Sequence, residues 1–386
     1  MREQLLDVLR LLDTTPAPRG EERTAAHRLR GWCAQRWPHI EWQVLEHGPA
    51  GGSLVAAHGD GPLLYSHLDT SLDDGGPGIG LITAETSPVM PLGVAGDVVT
   101  GFGLGVARGP AAAVLVAFAE AGAGRLLLAG SGTHRRAGGI TGLEAYADTY
   151  PLPRSAIVAK CGPPMLLWHE PGSFFLTVRV TGRSGIAMIA ESATPPGGVV
   201  ASAGVVLDEL ARWRTAYLAA DPRTGQAGRA CGIGAINGGW EDKPDLLPAQ
   251  LRIGLYVVAG DQVEPKALAG ELADRLRARC AESVLRDCVV DVEAEPGTAA
   301  AATPADAPVV TAARAAWLDE FGTPPPPVNG WTGSTDGVVL RARGVDTVRL
   351  GPQAKPAADP RRDELSLAQL TAYTRVYRRL LTELPA

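Results

Sequence analysis

Residues 173–182 read SFFLTVRVTG, and this alternation of apolar and polar side chains is that of a half-exposed antiparallel strand. Upstream the pattern differs. Residues 125–129 and 156–159 are continuous apolar runs bounded by turn residues, with a helix-like segment near 142–150 between them. That is the alternation of a mostly parallel sheet. The change of period at Ser173 therefore marks a change of sheet. Further upstream, two helical patterns fill the chain from Arg2 to Trp37, β-rich segments follow at 40–45, 53–57 and 63–66, and a helical stretch at 109–121 follows a glycine-rich loop.

Downstream of Ser173 the order is a helix near 199–218, strands near 231–236 and 250–258, a helix at 265–283 and a strand at 288–294. Strand-helix-strand-strand-helix-strand is the split βαβ arrangement of a ferredoxin-like domain. The Pro/Ala-rich stretch EPGTAAAATPADAP, 295–308, then crosses back to helices and a last strand at 347–350. The expected architecture is an α/β catalytic domain with a mostly parallel sheet, built from residues 1–172 and 297–386. Between these parts sits an inserted ferredoxin-like α+β lid, residues 173–296.

Composition bounds the function. A chain of 386 residues suits two compact units. With 45% hydrophobic residues, 20% charged residues and a formal net charge of -6, it reads as a mildly acidic globular protein without the basic surface of a nucleic-acid binder. Its five cysteines are odd in number and scattered, with no CxxC spacing, so neither a disulfide framework nor a thiolate zinc site is expected. A reducing cytoplasm fits that usage. The amino terminus, MREQLLDVLRLLDTTP, is amphipathic, and no later apolar run reaches a membrane-spanning length, so neither export nor membrane attachment is expected.

Four stretches carry a family resemblance: LLYSHLDT at 63–70, GFGLGVARG at 101–109, CGIGAINGGWEDKPDLLPAQLRIGLYVVAGDQVEP at 231–265 and GSTDGVVLRARGVDTVRLGP at 333–352. In this order they resemble the strand-end His-x-Asp motif, the GxGxxDxKG segment, the lid segment and the Gly-Gly-Thr-Asp loop of the acetylornithine deacetylase, succinyl-diaminopimelate desuccinylase and glutamate carboxypeptidase family. The resemblance spans nearly the whole chain. It implies hydrolysis at a two-zinc centre, in which the His of His-x-Asp binds zinc and the Asp orients it.

The ligand positions implied by the resemblance are mostly filled by residues that cannot bind zinc. The bridging Asp falls on Val106, and no Asp or Glu occurs between Asp97 and Glu120. The Glu-Glu pair falls where the chain reads Thr133, His134, Arg135, Arg136, and no acid occurs between Glu120 and Glu144. The next acidic ligand falls near Lys160 and Cys161, the lid His near Ile186 and the last His near Pro360; the chain has no His after His169. Two zinc ions need about five carboxylate or imidazole ligands in bonding distance, so no metal and no other cofactor is expected.

His67 and Asp69 remain. Two residues apart at a strand end, they point to one face, where an Asp can fix the imidazole tautomer and leave a metal-free His competent as acid or base. The alternative is a pair kept for packing. His134, Arg135 and Arg136 lie beyond a strand end, where open α/β sheets place their ligand crevice; they either bind a carboxylate or phosphate or form a solvated basic loop. Lys160 and Cys161 end another strand on the same side, as amine or thiol nucleophile or as inert core. Ser334, Thr335 and Asp336 precede a helix, where they hold an anion or cap it.

Cations where carboxylates are implied favour an anionic ligand. Two readings follow. One is a metal-independent enzyme acting on an amide or neighbouring C–N bond of an anionic small molecule, as in a biosynthetic pathway, with His67 and Asp69 catalytic. The other is a catalytically inactive homologue that binds a ligand or partner. A zinc hydrolase with a rebuilt ligand set, Asp73, Asp74 and Glu170, ranks behind both. The exposed edges of an inserted sheet must be paired or protected, and a homodimer through the lid is expected.

Overall fold

The computed structural model describes residues 1–70, 91–132, 141–221, 225–261, 263–355 and 362–385. The chain divides into two compact units, one of Met1–Trp168, Ala302–Val328 and Thr335–Ala386, the other of His169–Ala301 and Asn329–Ser334.

The first unit is built on a six-stranded sheet. Its strands are β1 (Trp42–His47), β2 (Gly51–His58), β3 (Leu63–His67), β4 (Gly124–Ala129), β5 (Ser155–Ala159) and β10 (Asp346–Leu350), in the order β1-β2-β4-β3-β5-β10. β1, β2 and β4 pair antiparallel, while β4, β3, β5 and β10 run parallel. All residues of β3 and β5 are buried, as strands covered on both faces must be. Side chains of alternating parity then enter different cores. Leu64, Leu126, Leu128, Ile157 and Ala159 pack with helices α1 (Arg2–Asp13), α2 (Arg23–Arg36), α3 (Gly109–Ala121), α7 (Pro308–Phe321) and α9 (Leu367–Glu383). Leu63, Tyr65, Leu127, Ala129 and Val158 pack instead with Leu143 and Tyr146 of α4 (Gly142–Thr149) and Leu340 of α8 (Gly337–Ala342). Each buried Leu or Val contributes about 1.5–3 kcal/mol relative to exposure, which makes the register of these strands hard to slip.

The first eleven residues of helix α3 show no polar face, because Gly109 is followed by ten apolar side chains; Gly109 through Ala119 are all buried. Together with the turn before it, Leu104–Ala121 is the one helical stretch among the described residues long and apolar enough to cross a membrane, and it is 78% buried in the core.

The second unit holds β6 (Gly172–Thr181), α5 (Ala203–Ala219), β7 (Ala230–Asn237), β8 (Gln250–Ala259), α6 (Pro265–Ala281) and β9 (Val289–Ala294). Its four strands lie in the order β7-β8-β6-β9, all antiparallel. This is a ferredoxin-like sheet. Phe174, Leu176, Val178 and Val180 of β6 pack with Leu210 and Trp213 of α5 and Leu272 and Leu276 of α6, so the period-2 pattern of 173–182 is the signature of a sheet covered by helices on one side. All five cysteines are free.

Candidate functional site

Because β4, β3, β5 and β10 run parallel, their carboxyl ends open on the same side of the sheet. His67 stands opposite Ala129, and Ala159 opposite Leu350. The residues just past these ends, Asp69, Gly132, Lys160 and Gly351, therefore share one neighbourhood.

His67 is 1% exposed. Its Nδ1 lies 3.6 Å from Asp69 Oδ1 and 3.7 Å from Asp336 Oδ2, at ion-pair distance from two buried carboxylates. The Tyr65 hydroxyl donates to the same oxygen of Asp336. Tyr65 is two residues before His67, on the same face, and its ring meets the imidazole edge-on at 5.5 Å and 77°. Burial pushes the Tyr65 hydroxyl well above its usual pKa, and the charge of Asp336 and the bond to it push the same way, so the tyrosine stays a donor. Burial alone would raise the Asp69 carboxyl, yet the neighbouring His67, the Gly132 N–H and the Lys160 charge outweigh it and hold Asp69 well below the usual carboxylate range.

The loop after β4 fixes this pair. Gly132 N donates to Asp69 Oδ1 at 3.1 Å, and Arg19 Nε donates to Gly132 O at 2.9 Å. A Cβ on Gly132 would come within 2.7 Å of Cε1 and Nδ1 of His67, so only glycine lets the loop lie on the imidazole. Ser131 before it has φ 53°, a left-handed conformation uncommon for a non-glycine residue. The fully buried Glu22 holds it, accepting from Ser131 N at 2.7 Å and from Ser131 Oγ. Burial raises the Glu22 pKa, partly offset by its bonds from the Gly20 and Ser131 N–H groups.

Lys160 follows β5 directly and is half-buried. Its Nζ donates to Val106 O at 2.8 Å. Val106 lies in a π-helical turn, Leu104–Arg108, which follows Gly103 at φ 67° and leads into α3. Single π turns inside or before helices are frequent at functional sites. Burial draws the Lys160 amine down to about 8, with Arg349 acting in the same direction and Asp69 and Asp336 against it. Burial also pushes the Cys161 thiol up to about 12, which leaves it protonated and a poor nucleophile. Arg349 Nη2, buried on β10, donates to Cys161 O at 3.3 Å.

Beside Cys161 is a cavity of about 460 Å³ lined by Gly105, Cys161, Gly162, Pro163, Gln353, Ala354 and Asp363. Asp363 accepts from Gly105 N at 2.8 Å, and burial raises its pKa. A larger cavity, about 630 Å³, belongs to the second unit; Val200, Ile236, Trp240 and Leu246 line it, with Asn237 and Glu241 as its polar side chains.

The structure thus brings together His67, Asp69, Lys160, Cys161, Thr335 and Asp336 in the first unit. Asp336 is used differently from the sequence reading: its carboxylate takes the Tyr65 proton donor and faces His67, while Thr335 Oγ1 accepts from Gly337 N at 3.2 Å. Ser334 and Glu170 are counted with the second unit. His134, Arg135, Arg136, Asp73 and Asp74 lie outside the described residues. Sequence reasoning passed over Tyr65, Gly132, Glu22 and Arg349. Strand parity two residues before His67 could have found Tyr65; the others carry no local signal. Among the described residues no group of three or more His, Cys, Asp or Glu side chains is placed to hold a metal ion.

No protein-family model matches this chain, and no curated protein matches its sequence. Its fold does match solved structures. Human carnosine dipeptidase 1 superposes with a TM-score of 0.68 at 12% identity, over 99% of this chain and 96% of that one. An M20 family metallo-carboxypeptidase from Sulfolobus solfataricus gives 0.68 at 13% identity, over 99% of each chain. A hydantoinase/carbamoylase family amidase from Burkholderia ambifaria gives 0.60 at 15% identity, over 100% of this chain and 98% of that one. The mixed α/β architecture with a largely parallel central sheet is thus the fold seen in the M20 peptidases.

Proposed function

We propose that the chain is a metal-independent enzyme on this scaffold, acting on an amide or neighbouring C–N bond of an anionic small molecule. The observation that carries the reading is the approach of two buried carboxylates, Asp69 and Asp336, to one nitrogen of His67. Carboxylates at Nδ1 favour the proton there and stabilise imidazolium. Nε2 is then the nitrogen that takes a proton from the substrate or nucleophile and returns it to the leaving group. Lys160 and Arg349 supply positive charge for the substrate's acidic group.

The two-zinc centre that the resemblance implies does not fit these residues. At two of its ligand positions stand Val106, which offers a carbonyl already taken by an ammonium, and Lys160, which carries that ammonium. No reaction step is routed through a metal. A second reading, a ligand-binding protein without turnover, is favoured by the near-complete burial of His67. Acidic N-acyl and amino compounds should be screened for conversion by the wild type and His67→Ala, with binding followed by calorimetry. Conversion lost in the variant with binding kept supports the enzyme; binding without conversion by either supports the second reading.

For assembly the proposal is a homodimer through the second unit. The last residues of the edge strand β7 are exposed, and Ile236, Trp240 and Leu246 leave apolar surface open beside them. Such an edge is a ready template for pairing.

A further inference from the structure

The short strand Asp363–Ser366 pairs antiparallel with Ala354–Lys355 on one side and Val98–Gly101 on the other, with Asp363 opposite Gly101. This ladder carries the Asp363 carboxylate to the wall of the cavity of about 460 Å³ beside Cys161. Oδ2 accepts from Gly105 N at 2.8 Å; among the described residues Oδ1 has no hydrogen-bond or ion-pair partner. Asp363 is also the one charged side chain among the described residues of that wall, which is otherwise glycine, proline, alanine, Cys161 and Gln353. Gly105 keeps the space before the carboxylate open: a Cβ there would stand 2.8 Å from Ala354 Cβ and 3.4 Å from Asp363 Oδ2. A carboxylate drawn out of water without a counter-charge is costly, and burial raises the pKa of this one.

We propose that this cavity is a pocket for the primary ammonium group of a small molecule, with Asp363 as its counter-ion. Oδ1 is an acceptor with no donor, an ammonium is three donors on a compact charge, and the uncharged remainder of the wall suits a hydrocarbon stem. The volume lies within the range of small-molecule sites, about 300–1,000 Å³. Gly105 precedes Val106, whose carbonyl takes the Lys160 amine, and Cys161 follows Lys160, so the pocket shares two stretches of backbone with the proposed active site. It narrows the anionic substrate proposed above to one that also bears an amine, and rests on that reading for this step alone.

Cys161, on the cavity wall, reports occupancy without a substrate. Wild type and Asp363→Asn, checked for native circular dichroism, are treated with methyl methanethiosulfonate, and modification of the Cys161 peptide is timed by mass spectrometry with increasing n-butylammonium chloride, 1-butanol or sodium butyrate. Butylammonium should protect Cys161 in wild type, with the protecting concentration raised roughly 10-fold or more in Asp363→Asn, the scale of one hydrogen bond to a charged group. Butanol and butyrate should protect neither protein. No modification of Cys161, no protection by butylammonium, protection by butanol or butyrate as strong as by butylammonium, or protection unchanged in Asp363→Asn would overturn the proposal. Should Asp363→Asn fail to fold, the three compounds compared on wild type decide alone. None of these readouts involves turnover at His67, so the pocket can fail while the acid–base reading stands, and the reverse.

Discussion

Nδ1 of His67 lies 3.7 Å from Oδ2 of Asp336, the oxygen that also accepts the Tyr65 hydroxyl. One buried carboxylate thus joins the tyrosine and the imidazole of the same strand face. Tyr65→Phe removes its donor and leaves shape nearly unchanged. A buried acceptor left short of a partner costs about 1–3 kcal/mol, so the expected result is a loss of that size in denaturant unfolding with native circular dichroism. No loss would show that Asp336 does not depend on Tyr65.

Replacing the imidazole should separate chemistry from binding. If His67 is the general acid–base, His67→Ala lowers turnover by about 10²–10⁴-fold while the substrate's Kd changes little. Asp336→Asn should lower turnover less, because it removes one of the two carboxylates that face the imidazole without removing the imidazole itself. The test is kcat and Kd measured on the same substrate; unchanged turnover in His67→Ala refutes the mechanism.

Gly132 permits the loop to lie against His67, since any Cβ there would sit 2.7 Å from the ring. His67 is enclosed and cannot step aside. Gly132→Ala should destabilise by about 1–3 kcal/mol, the usual cost of overpacking a core, and impair any His67-dependent activity more than its stability loss explains. A Tm equal to wild type would show that the loop yields freely.

The Lys160 amine titrates at about 8 in the fold, against roughly 10.4 in an unfolded chain. Between these values the unfolded chain binds a proton that the folded chain has released, so the contribution of Lys160 to stability rises as pH climbs from about 8 to roughly 10.4 and is constant below. The difference in unfolding free energy between wild type and Lys160→Met should grow in favour of wild type over that window, by up to about 3 kcal/mol. A flat difference across the window would mean that burial does not disfavour this ammonium.

In solution the chain should be a dimer by light scattering, and Ile236→Asp with Trp240→Asp, both exposed side chains of the second unit, should give a monomer. A wild-type monomer at micromolar concentration, or a dimer indifferent to these changes, contradicts assembly through that unit.

Much of the fold was legible because it is local. The apolar runs at 125–129 and 156–159 and the alternation at 173–182 correspond to β4, β5 and β6 within a residue or two, since burial on two faces or on one leaves a period that short windows can carry. The same parity places Tyr65, His67 and Asp69 on one face before any coordinates are known. What the sequence could not state is which distant residues meet them. Asp336 reaches His67, Lys160 reaches Val106 and Glu22 reaches Ser131 because the parallel register of β4, β3, β5 and β10 brings four strand ends to one level. Residue spacing carries no distance across a sheet, so the resemblance implies a pocket of cations, whereas tertiary structure sets the buried carboxylates Asp69 and Asp336 against His67.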